Sequence, residues 1–177
     1  MSALDLQVRE IVLERCFELV ALSDEGVAQL GRGWTGRQQV ALHFAPGRWL
    51  LPEPSIDLIR AIEANPAAIL VDVDGKYRRI LIGGSGAGRA LRSTIALDSV
   101  LAGRDCAAVA LFDCPTVLAQ SGSGEAYEVW IHASYFASFT AALDVARRRI
   151  QSRPDWPPLE AFDASGAAHF AARSERL

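Results

Sequence analysis

Apolar residues recur along this chain in two rhythms, every second position in several short runs and every third or fourth position in three others. Ile11 to Leu22, IVLERCFELVAL, alternates imperfectly and predicts one strand or two short ones ahead of the polar SDEG. From Gln38 the alternation sharpens. Val40, Leu42 and Phe44 point one way and Ala41 and His43 the other, as in a half-buried strand, and the turn APGR leads into Trp49, Leu50 and Leu51.

Pro54-Ser55 reads as a helix start with Ser55 as its cap, followed by Ile56, Ile59 and Ile62 with Leu58 widening the apolar face, and Asn65-Pro66 ends it. Ala67 to Val73 is a short run rich in β-branched residues. Asp74-Gly75 then predicts a two-residue hairpin turn into KYRRILI, and so an adjacent antiparallel pair. Beyond the glycine-rich GGSGAG, Ala87, Leu91 and Ile95 fall four apart and predict a helix of two or three turns. Strands are expected near Ala107 to Phe112, Thr116 to Gln120 and Tyr127 to His132. Ser134 is placed to cap a last helix whose apolar face is Phe136, Phe139, Leu143, Ala146 and Ile150, with Arg147, Arg148 and Arg149 at its negative end. Hairpins mixed with helices indicate an α+β fold with mainly antiparallel sheets. Residues 1–153 are expected to form a single domain, and 154–177, rich in proline and weak in periodicity, a C-terminal tail that is mobile or lies against a partner.

With 177 residues the chain is long enough for one real core, and a formal net charge of −3 without a basic stripe argues against nucleic acid. Three cysteines without paired spacing and an N-terminus unlike a signal peptide indicate a reducing cytoplasm. No apolar run approaches the roughly 20 residues that span a bilayer, so no membrane role is expected.

Ile80 to Ile95, ILIGGSGAGRALRSTI, raises the question of a phosphate loop. The P-loop pattern fails at Arg89 and Ala90, which stand where lysine and the magnesium-binding hydroxyl belong, and the dinucleotide fingerprint fails at Arg89, which replaces its third glycine. The nucleophile elbow around Ser85 ends in Ala87 rather than glycine. A sharp strand-to-helix turn explains the glycines more simply. His43 and His132 sit at strand ends without a readable serine, cysteine or carboxylate partner, and together with His169 they lack metal-ligand spacing. Cys106 and Cys114 read as buried, inert thiols. Asp72 and Asp74 read as strand-edge and turn residues rather than cation ligands, while Trp34, Trp49 and Trp130 read as core or interface anchors. No catalytic residue and no metal site emerge.

Taken together, APGRWLL, VDVDGKYRRILIGGSGAGRAL and YEVWIHASYFASFTAAL resemble the gamma subunit family of heterotetrameric sarcosine oxidase over about Gln38 to Ile150. Asp74 departs from the family's serine after VDV, and Ala87 from the proline of its glycine turn. The resemblance implies the folate-binding-domain fold of glycine cleavage T-protein, with two intertwined subdomains. It implies a non-catalytic accessory subunit of an assembly that demethylates sarcosine, linked to tetrahydrofolate-dependent one-carbon metabolism. FAD, FMN and NAD would be held by larger flavoprotein partner subunits, and tetrahydrofolate is the one cofactor this chain itself could touch. The isolated chain is expected to behave poorly or self-associate, with Trp156 and Phe162 of the tail among its exposed aromatics. The alternative is a free-standing folate-binding or one-carbon-transfer protein, for which Asp72, Arg79 and Tyr127 are the candidate cavity residues.

Overall fold

The computed structural model describes residues 5–23, 41–121 and 126–152. Trp34, the 154–177 tail with Trp156 and Phe162, and His169 lie outside them.

Among the described residues nine strands form two sheets, and every pairing is antiparallel. β2 (Cys16–Ala21), β3 (Leu42–Ala45), β4 (Arg48–Pro52) and β5 (Ala68–Asp72) make a four-stranded sheet in the order β3-β4-β2-β5. β1 (Gln7–Ile11), β6 (Tyr77–Gly83), β7 (Cys106–Leu111), β8 (Cys114–Ser121) and β9 (Ala126–His132) make a five-stranded sheet in the order β1-β6-β9-β8-β7. The α-helices of the described residues are, in chain order, α1 (Ile56–Glu63), α2 (Ala87–Arg92), α3 (Leu97–Leu101) and α4 (Phe136–Ser152).

Strand alternation sorts the apolar residues into three buried layers. Phe17, Leu19, Trp49 and Leu51 of the smaller sheet pack with Ile59 and Ile62 of α1. The opposite face of that sheet contributes Cys16, Leu42 and Leu50 to a layer shared with Cys106, Val117, Ala119 and Trp130 of the larger sheet. The outer face of the larger sheet carries Ile80, Ile82, Leu118, Tyr127, Val129 and Ile131 under α2 and α4, which add Leu91, Phe139 and Leu143. The order is therefore helix, sheet, sheet, helices.

Several expectations hold in detail. The Ser55 side chain accepts the Leu58 N–H at 3.3 Å and caps α1, and Phe139, Leu143, Ala146 and Ile150 form the buried face of α4 while Arg147, Arg148 and Arg149 are exposed. Others are corrected. Asp74-Gly75 does make a tight turn, closed by Lys76 N–H to Val73 C=O at 3.0 Å with Gly75 at φ 73°, but β5 and β6 do not pair. Val73 N–H donates instead to Cys16 C=O, so β5 lies along β2, and the turn carries the chain from one sheet to the other.

A second strand precedes the predicted one, because Gln7–Ile11 pairs with β6. The helix after the glycine loop is shorter than expected, since α2 stops at Arg92 and Ile95 packs from the connection to α3. Ser134 is not the helix cap. His132, two residues earlier, takes that place: its ring accepts the Ser134 N–H at 3.4 Å and opens a 3₁₀ turn, Ala133–Tyr135, that runs into α4. No helix among the described residues is long and apolar enough to cross a membrane.

Candidate functional site

The glycine corner joins β6 to α2. Gly84 adopts φ 90°, a conformation that side chains resist, and a Cβ there would stand 2.6 Å from the Asp5 carbonyl oxygen. That carbonyl accepts the Gly86 N–H at 2.8 Å, Ala87 N–H donates to Gly84 C=O, and Ser85 Oγ accepts the Asp5 N–H at 3.2 Å. Leu6 follows into the core, 2% exposed. The chain's own N-terminal segment thus occupies the place where a phosphate would have to meet the loop's N–H groups.

The second concentration of polar groups lies between the sheets. Glu18 is buried on β2, with one carboxylate oxygen held by Arg48 and the other by Lys76 Nζ at 3.1 Å. The hydrogen bond to Glu18 raises the Lys76 pKa above its ordinary value. On β6 and β9, Arg79 and Glu128 form a two-pronged pair at 2.7 and 3.0 Å, and the Arg79 guanidinium lies 5.2 Å from the Trp130 ring centroid. The Trp130 indole N–H is buried without a hydrogen-bond partner among the described residues. Both carboxylates spend their acceptor oxygens on cations, so this layer joins two sheets rather than presenting a free base.

The three folate candidates occupy three different faces. Asp72 pairs with Phe17 on the α1 side of the smaller sheet and accepts the Asp74 N–H at 3.0 Å. Arg79 faces the layer between the sheets, beside Trp130. Tyr127 faces the helices on the far side of the larger sheet and is 6% exposed. They do not converge on one cavity. A cleft of about 590 Å³ between β3 and β7 is lined by His43, Phe44, Pro46, Arg104 and Asp105 among others, and by none of the three.

One pairing escaped the sequence. His132 Nδ1 lies 2.8 Å from Ser134 Oγ, a nucleophile-to-base distance. The same nitrogen faces the Ser134 N–H, and among the described residues the ring meets Tyr77 and Tyr135 edge to face, with no carboxylate bonded to it. The pair works as a helix-start turn, without the orienting third group that a catalytic base requires. His43 stacks on Trp49 at 4.8 Å.

All three cysteines are buried and free. Burial, reinforced by Asp74, pushes the Cys16 thiol up to about 12, and burial pushes Cys106 up to about 11, from 9.0. A thiol pKa raised on folding gives stability that is complete below the unfolded value and is lost as pH rises through the folded value. Unfolding midpoints in urea are therefore expected to stay level to about pH 9 and to fall from there toward pH 12, less steeply in Cys16→Ala. A midpoint that rises across that interval would contradict the assignment. Native thiols should also resist alkylation at neutral pH.

The chain matches no protein-family model and no curated protein sequence. Among solved structures, a chain of the heterotetrameric sarcosine oxidase from Corynebacterium sp. U-96, in complex with pyrrole 2-carboxylate, superposes with a TM-score of 0.70 at 17% identity, covering 85% of this chain and 88% of that one. The two chains match almost end to end, and this protein has that fold. Regulatory portions of aspartate kinase from Porphyromonas gingivalis W83 and Thermus thermophilus align over 80% and 82% of this chain and 95% and 98% of theirs, at 13% and 15% identity, with TM-scores of 0.42, too low to carry a conclusion.

Proposed function

We propose that this protein is a gamma-type accessory subunit of a heterotetrameric sarcosine oxidase-like flavoenzyme, with no chemistry of its own. The observation that carries the reading is the nearly end-to-end superposition on one chain of such an oxidase. The motifs from APGRWLL to YEVWIHASYFASFTAAL point the same way from the sequence. On this reading the fold is the folate-binding-domain type, FAD, FMN and NAD are held by the larger partner subunits, and sarcosine is demethylated there.

The placement of Asp72, Arg79 and Tyr127 on separate faces favours this over a free-standing folate-binding protein. The two readings part on a melting curve, because a ligand that binds only the folded state raises the melting temperature. Tetrahydrofolate is expected to leave the melting temperature of the isolated chain unchanged, and the isolated chain is expected to consume no oxygen when given sarcosine. A rise that saturates with tetrahydrofolate would favour the free-standing protein, and sarcosine-dependent oxygen uptake by the chain alone would contradict the accessory role.

A further inference from the structure

Four described strands end their sheets: β3 and β7, which lie beside each other with the Cys106 thiol donating to His43 C=O at 3.2 Å, and β1 and β5. Unpaired edges invite another strand unless charge or shape prevents it. β1, QVREI, is protected against its own copy. A two-fold antiparallel pairing must match residues of the same face, and centring it on the strand sets Arg9 against Arg9, while the neighbouring register sets Glu10 against Glu10.

Among the described residues β5, AILVD, has no such protection. Ile69 and Val71 are 47% and 43% exposed on the face turned from α1, and Leu22 nearby is 57% exposed. Val73 N–H and Ala67 C=O both bond toward β2, so by alternation Ala68, Leu70 and Asp72 direct their backbone groups to the open edge. Centring a two-fold pairing on Leu70 places Leu70 opposite Leu70, Ile69 opposite Val71 and Asp72 opposite Ala68. The charges are compatible in this register, because the strand's single acidic residue meets an alanine and no like charges oppose. The backbone also fits. Leu70 of each copy exchanges N–H and C=O with the other, and Asp72 N–H donates to Ala68 C=O in both directions. The donor this register leaves over, Ala68 N–H, already bonds to Asn65 C=O within its own chain at 3.1 Å.

We infer that the free chain forms a two-fold dimer through β5, joining two four-stranded sheets into one and covering Ile69 and Val71 with the same residues of a second copy. This stands independently of the accessory-subunit reading.

Light scattering on the full chain during gel filtration tests it directly. Twice the chain mass is expected for the wild type and for Val8→Lys on β1. Ile69→Lys/Val71→Lys, which sets lysine against lysine, is expected to raise the dissociation constant at least about tenfold while leaving the circular dichroism unchanged. Ile69→Cys mixed with Val71→Cys should yield a disulfide-linked dimer on oxidation. Ile69→Cys alone should not, because its copies stand diagonally, about 7–8 Å apart. A wild-type chain that stays monomeric, a dimer that survives both lysines, or a mixture that fails to cross-link overturns the proposal.

Discussion

Gly84→Ala is expected to cost about 3 kcal/mol and to lower the melting temperature by roughly 10 °C. Two effects add. An alanine at φ 90° occupies a region that L side chains rarely adopt, and its Cβ would meet the Asp5 carbonyl oxygen at 2.6 Å, closer than any normal contact. That carbonyl cannot simply withdraw, because it accepts the Gly86 N–H and because Leu6, the next residue, is seated in the core. Gly75→Ala is the internal comparison. Gly75 also has a positive φ, 73°, but a Cβ there meets nothing within 4 Å, so only the conformational cost of about 1 kcal/mol applies. Thermal unfolding of the two variants checks the claim that the N-terminal segment closes the glycine corner. Equal losses would show that Asp5 does not stand where the close approach requires.

Trp130→Ala is expected to be at least as damaging, about 3–5 kcal/mol, and to leave a protein that is marginal at body temperature. Trp130 is fully buried at the centre of the layer between the sheets, among Cys16, Leu42, Leu50, Val73 and Val117, and its ring lies under the Arg79 guanidinium. Its removal opens a cavity in the layer that joins the two halves of the protein. Trp130→Phe separates packing from polarity. It keeps most of the aromatic surface and removes an indole N–H that has no partner among the described residues, so the loss is expected to be less than half that of the alanine variant. Urea unfolding of both variants measures the difference. A phenylalanine variant as unstable as the alanine one would mean that the N–H is satisfied in solution by a group or buried water that the geometry does not show.

Most of the elements could be read from the chain because burial writes a period into it. Trp49 to Leu51, Ile59 and Ile62, and Phe139, Leu143 and Ile150 each fall on a buried face that alternation or helical spacing predicts. β1 carried no such signal, since an edge strand exposed on nearly all its length has no reason to alternate. Asp74-Gly75 misled for a different reason. Turn chemistry is local and was read correctly, whereas the choice of partner strand is made by Val73 N–H finding Cys16, 57 positions back in the chain, which no local pattern records. The β7-β8 turn was silent for the opposite reason, because Phe112 and Asp113 adopt positive φ values of 50° and 61° without a glycine to announce them. At the candidate site, the failure of the phosphate motifs was legible in Arg89 and Ala90, but the reason the corner is filled, the carbonyl of Asp5, was not. Nor could spacing show that Asp72, Arg79 and Tyr127 face three ways, because that depends on how two sheets are stacked.

The accessory role is tested most directly by purifying the tagged full-length protein from its own cells at modest salt, recording the visible flavin spectrum and weighing the intact assembly by native mass spectrometry. The predicted result is a flavin-coloured complex in which this chain sits with larger subunits and which oxidises sarcosine. A colourless chain that elutes with no larger flavin-bearing subunit would contradict it.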